Sequence, residues 1–137
     1  MPTFKELKIE FENEIKITKE NMYDKMMHNS SLYHKYAEMY VRSLKELNKL
    51  KNDRDVIYKK LYHAYKFEDK SGGYDVSKTS EIDVYVKGDK EYRDIMSKIE
   101  SQDEITKYLE YCVKIIDKIT FNIRMMIDYE KFRNGMI

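Results

Sequence analysis

Between residues 42 and 66 the chain carries Lys45, Lys49, Lys51, Arg54, Lys59, Lys60 and Lys66, with Tyr58, Tyr62 and Tyr65 among them at helical spacing. Cationic groups pair with phosphates and flat aromatic faces stack on bases, so this set has the chemistry of single-stranded nucleic-acid binding. The same residues also fit a plain packed helix, with the tyrosines in a core and the lysines solvated. That is the commoner use of a tyrosine stripe.

Other chemistry finds little support. His28 and His34 lie six residues apart and share no helical face with each other, and His63 stands far from both. No cysteine or carboxylate spacing completes a zinc site, so neither a metal nor a cofactor is expected. Cys112 falls on an apolar row and reads as a packing cysteine rather than a nucleophile. Ser71-Gly72-Gly73 is too short for a phosphate-cradling loop. Carboxylates are abundant but scattered among lysines, as on a solvated helix surface. Without a poised acid, base, nucleophile or metal cluster, the chain is not expected to be an enzyme.

Composition narrows the class. Lys and Arg number 26 and Asp and Glu 25, for a net charge of +1, so the overall charge selects no partner. The distribution is uneven: residues 42–66 hold eight basic and three acidic residues, a net +5, whereas 68–104 come to −5. A basic helix followed by an acidic segment suits nucleic-acid contact on one face and protein contact on another. Charged residues reach 37% of the chain, against about 25% in ordinary soluble proteins. Leu, Ile, Val and Phe total 32 residues, so a single core would be lean, and the 13 tyrosines and 9 methionines or other copies of the chain must fill the gap. No apolar run approaches the length of a membrane span, and the charged start argues against a signal peptide. One cysteine makes no internal disulfide, which fits a reducing compartment.

The elements follow from periodicity. Phe4, Leu7 and Phe11 predict a short amphipathic helix over 3–14, and 14–18 a brief extended link. Residues 19–67 contain neither Gly nor Pro and predict a long helix. Its seam runs through Tyr33, Ala37, Tyr40, Leu44 and Leu47, is interrupted at Lys51 and Arg54, and resumes at Tyr58, Leu61 and Tyr65. Such a helix would span about 73 Å, too long for one compact domain, so it should break near Asn29-Ser30-Ser31, project toward other subunits, or both. Residues 68–80, with Gly72-Gly73, predict a loop. The alternation of Ile82, Val84 and Val86 predicts a short strand over 81–87. Residues 90–100 predict a helix, and Ser101 with Glu104 a capping box opening a new one. There Ile105, Leu109, Cys112, Ile116, Ile119, Ile123 and Met126 step in heptads, while Tyr108, Ile115, Met125, Tyr129 and Phe132 form a second apolar row. One face can meet the long helix, and the other needs a further covering surface, for which another subunit is the obvious candidate. Gly135 predicts the C-cap.

Taken in order, these residues resemble the UvsY family of recombination mediators of T-even-type phages, from about residue 19 to Gly135. The matching positions are Leu32-Tyr33-x-Lys35-Tyr36, Lys59, Tyr65, Ser80-Glu81-Ile82, Asp89-Lys90-Glu91, and then Cys112, Phe121, Ile123, Arg124, Asp128, Phe132 and Gly135. The chain departs from the family at Leu61, where a second basic residue is usual and Lys60 stands beside it, and at Tyr36, where a tryptophan occurs. The resemblance implies a non-enzymatic, ring-like homo-oligomer that binds single-stranded DNA. It also implies help for the phage RecA-type recombinase in displacing the single-strand-binding protein, in the cytoplasm of the infected host bacterium. On that reading Lys59 and Lys60 lead the DNA contacts, followed by Arg54, Lys51 and Lys45, with Tyr58 or Tyr62 as stacking platforms. Ile115, Ile119, Ile123, Met126 and Phe132 are the candidate assembly residues. The expected fold is mainly α: one helical domain over 1–137, its long helix and terminal helix packed in heptad fashion about a strand and loop segment. A helical homo-oligomeric adaptor without DNA binding is the alternative.

Overall fold

The structure, a computed structural model, describes residues 3–18, 20–67 and 79–135. Their order is α1 (Phe4–Glu14), α2 (Met22–Phe67), α3 (Thr79–Gly88) and α4 (Lys90–Arg133), with no strand among the described residues. The expected loop around Gly72-Gly73 lies outside the described residues, and the helix begins at Thr79, inside the range expected to be loop.

Several helix ends have a local cause. Thr3 and Glu6 close a capping box at the start of α1: the Glu6 N–H donates to Thr3 Oγ1 (3.2 Å) and the Thr3 N–H to Glu6 Oε2 (3.1 Å). Thr18 and Asn21 make the same reciprocal pair ahead of α2, at 2.7 and 3.3 Å. Asp89 opens α4 by accepting from the Glu91 N–H at 2.9 Å. After α4, Gly135 takes φ +68°, a left-handed conformation that favours glycine, as expected of a C-cap.

The described residues form two compact units, one within Met1–Ser43 and Glu104–Ile137, the other within Leu44–Asp103. The first unit packs α1, the start of α2 and the end of α4 around Leu7, Phe11, Tyr36, Leu109, Cys112 and Ile116. Phe11 meets Tyr36 edge to face at 5.1 Å. The fully buried Tyr36 hydroxyl donates to Glu14 Oε1 at 3.2 Å, and Lys35 bridges Glu10 and Glu14 at 2.6 and 2.7 Å. Burial first, and the nearby Glu14 second, push the Tyr36 phenol far above its ordinary range. Burial raises the Cys112 thiol to about 12, so it stays protonated and packs as an apolar group.

Three expectations give way to tertiary contacts. The long helix does not break at Asn29-Ser30-Ser31; α2 runs unbroken for 46 residues. Asn29 is buried, and its amide donates to Thr120 Oγ1 and to the Ile116 carbonyl of α4, so a residue read as a helix breaker satisfies its polar group across a helix pair. Each unit takes one part of α2. Ser101 and Glu104 cap nothing, because α4 runs unbroken for 44 residues. Thr106 is buried there, its hydroxyl 2.6 Å from that of Ser43.

The third correction is the strand over 81–87, which is helix α3. Ile82 and Val86 are fully buried while Val84 is 68% exposed. Positions i and i+4 share a face in a helix and in a strand alike, so only Val84 separates the two periods. The second unit rests on these residues. Leu61 of α2 packs with Ile82 and Val86, and Leu47 with Ile95 and Ile99 of α4.

Candidate nucleic-acid interface

In the second unit, Leu47, Leu61 and Ala64 of α2 are buried, and Leu50, Ile57, Tyr58, Tyr62 and Tyr65 are half-buried beside them. Tyrosines tie this face down at its rim. The Tyr58 hydroxyl donates to Asp83 Oδ1 at 2.6 Å and the Tyr65 hydroxyl to Asp89 Oδ2 at 2.8 Å. The Asp83 bond, with some burial, raises the Tyr58 phenol to about 12, while the same bond and Lys87 hold the Asp83 carboxyl below its usual value.

At 3.6 residues per turn, the side of α2 opposite Leu47 and Leu61 carries Lys45, Lys49, Asn52, Val56, Lys59, His63 and Lys66. All seven are exposed. The row contains no carboxylate; Glu46, Asp53 and Asp55 lie on its flanks. Among the described residues, no carboxylate pairs with Lys45, Lys49, Lys59 or Lys66. From Lys45 to Lys66 the row extends about 31 Å.

The candidate residues divide accordingly. Lys59 and Lys45 stand on this row. Lys51 is exposed but stands off the row, on the Leu47 side of the helix. Arg54 is half-buried, with Nε 3.3 Å from Asp55 Oδ1. Lys60 is exposed, but its ammonium is held by both oxygens of Glu91 at 3.0 and 3.2 Å. Leu61, beside it, is fully buried. Tyr58 is fixed by Asp83 and meets Tyr92 edge to face at 6.1 Å.

Tyr62 faces an open groove of about 410 Å³, lined also by Tyr58, Lys59, His63, Lys66 and Phe67. Lys66 Nζ stands 5.9 Å from the Tyr62 ring centre and 5.2 Å from that of Phe67, within cation–π reach. The His63 and Phe67 rings are 4.9 Å apart. Phe67 and His63 are absent from the residues expected in this role, although their i, i+4 spacing beside Lys59 and Lys66 was a readable signal.

The first unit has a different outward face. Of the expected assembly residues, Ile123 is fully buried within the chain, so it is a core residue and cannot face a partner. Ile115 and Ile119 are half-buried, whereas Met126 and Phe132 are exposed. The exposed apolar row on α4 consists of Phe121, Met125, Tyr129 and Phe132, opposite Ile116 and Ile123 around the helix.

Fold and surfaces together define an all-α protein whose outward helix faces are specialised, one polycationic and one apolar. Residues 10–136 match the family described as "Recombination, repair and ssDNA binding protein UvsY", and the chain belongs to that family. Among solved structures it is similar to the recombination mediator protein UvsY of bacteriophage T4 in three crystal lattices, each at 16% sequence identity. For lattice type II the TM-score is 0.86, covering 98% of this chain and 100% of that one. For type IV it is 0.82 with 94% and 97% covered, and for type I 0.82 with 93% and 98%. At that identity the likeness is one of fold. No curated protein sequence matches the chain. None of the described helices is long and apolar enough to cross a membrane.

Proposed function

We propose that the chain binds single-stranded DNA along the exposed α2 row, acts as a ring-like homo-oligomer, and helps a phage RecA-type recombinase replace the single-strand-binding protein. It would act in the cytoplasm of the infected host bacterium. The observation that carries this reading is the carboxylate-free row itself. Four lysines without carboxylate partners among the described residues project from the helix side opposite its core, in a chain of a family described by single-stranded-DNA binding. Repetition of the row around an oligomer would turn weak single-chain contacts into strong binding. The apolar α4 row supplies a surface for such assembly. Lys59 and Lys45 remain the leading contacts, and Lys51, off the row, contributes less. Lys60 contributes less, because Glu91 competes for its ammonium.

The test is fluorescence anisotropy with a single-stranded oligonucleotide at several salt concentrations. Each lysine that contacts a phosphate should add about 0.7 to the slope of log affinity against log salt. Lys59→Ala should weaken binding and flatten the slope, with the oligomer mass unchanged. An unchanged affinity and slope would overturn the assignment. An oligomer with no salt-sensitive affinity at all would instead indicate an adaptor, the reading that the apolar α4 row supports by itself.

A further inference from the structure

A row of lysines attracts any polyanion. Phosphate contacts position a nucleic acid without reading its bases, and the duplex, with its higher charge density, would compete well for them. Preference for a single strand requires a surface that only an unstacked base can reach. We propose that the groove at the end of α2, between Tyr62, His63, Lys66 and Phe67, takes one unstacked nucleobase and so discriminates single-stranded from duplex nucleic acid. The proposal rests on the DNA-binding reading above.

The geometry supplies three parts. Phe67 is a large apolar ring, two-thirds exposed on the last turn of α2, and it lies outside the cluster of residues that packs this unit. Lys66 holds its ammonium near both the Tyr62 and Phe67 rings, so a phosphate paired with Lys66 would bring its attached base alongside a ring. Lys59 lines the same groove and provides for a neighbouring phosphate. None of the described lining residues is a carboxylate, and the volume of about 410 Å³ falls within the range of small-ligand sites, about 300–1,000 Å³. Tyr58 does not serve as the platform. Its hydroxyl is bonded to Asp83 and its ring is packed by Tyr92, so it forms a wall.

The probes are an oligo-dT, an abasic oligonucleotide of the same length with the same phosphates, and a duplex, all over the same series of salt concentrations with the full chain. Oligo-dT should bind at least about fivefold tighter than the abasic strand, given the usual strength of base–aromatic stacking. Phe67→Ala should abolish that preference while leaving abasic binding and the salt slope unchanged. Lys66→Ala should weaken both strands alike and lower the slope. The chain contains no tryptophan, so Phe67→Trp is both the conservative replacement and a single reporter. It should keep the preference, and oligo-dT but not the abasic strand should quench its emission. Equal binding of the two strands by the parent chain, or equal loss for both in Phe67→Ala, would overturn the base site while leaving DNA binding intact. Failure of every strand to bind would overturn the DNA-binding reading and the base site with it.

Discussion

The outward side of α2 over residues 45–66 and the outward side of α4 over 121–132 occupy equivalent places, each opposite a buried apolar face of its own unit. One carries Lys45, Lys49, Lys59 and Lys66, and the other Phe121, Met125, Tyr129 and Phe132. The difference shows what each unit leaves over once its core is closed. Exposed cations cost little in water and attract a polyanion. A row of exposed rings has no such solvation and calls for a protein surface. The buried sides differ too. The first unit carries polar groups into its interior, the buried Asn29 bonded to the half-buried Thr120 and the buried pair Ser43 and Thr106. The second keeps its polar bonds at the rim, as tyrosine hydroxyls on carboxylates.

Core truncation should produce the largest effects and would sharpen the division into two units. Leu61→Ala and Ile116→Ala each remove a fully buried side chain and should cost about 2–5 kcal/mol. Hydrogen exchange should then accelerate mainly within 44–103 for the first and within 3–43 and 104–133 for the second. Uniform acceleration in both variants would show that the units unfold as one. Next in size is the combined replacement of Lys45, Lys49, Lys59 and Lys66 by Gln. The salt slope for single-stranded DNA should fall by about 3, while light scattering reports an unchanged mass.

The reverse pattern is expected for Phe121→Ser with Met125→Ser and Phe132→Ser. Oligomer mass should drop, while the stability of the chain changes by no more than about 0.5 kcal/mol per site. A lower mass in the lysine variant, or an unchanged mass in the α4 variant, would break the contrast between the two faces.

The smallest effect belongs to Tyr58→Phe. Because the Asp83 carboxyl is lowered in the folded chain, its contribution is present above the ordinary carboxylate range and lost as pH falls through the lowered value. Because the Tyr58 phenol is raised to about 12, its contribution is complete below the ordinary phenol value and lost as pH rises through about 12. Tyr58→Phe should therefore lower the melting temperature slightly at neutral pH and flatten both ends of its pH profile. A profile unchanged at both ends would show that the bond contributes nothing.

Much of the core was legible. The row Leu109, Cys112 and Ile116 is buried as its heptad steps require, and Phe4 to Glu14 is helical as the spacing of Phe4, Leu7 and Phe11 predicts. The α2 seam was harder. The buried residues of its first half are Met22, Asn29, Tyr36 and Ser43, recurring every seven positions but half of them polar, so apolar spacing pointed instead to Tyr33, which is exposed. The candidate interface was readable as a basic stretch but not in its rings, since spacing alone does not tell a pinned tyrosine such as Tyr58 from one facing a groove such as Tyr62.

Sequence alone determined that this chain is helical, that a basic stretch precedes an acidic one, and that the last helix has more apolar surface than one partner face can cover. Those properties depend on residue type and on the 3.6-residue period, both written locally. Only tertiary structure decided that Asn29 would be buried, that Ile82 and Val86 would pack on a helix, and that Ile123 would turn inward while Phe121 and Phe132 turned out. It also decided which lysines are held by carboxylates and which stand clear. Each of these outcomes depends on a neighbour distant in the chain, where a hydrogen bond across a helix pair or a buried face outweighs the small preference of any local segment.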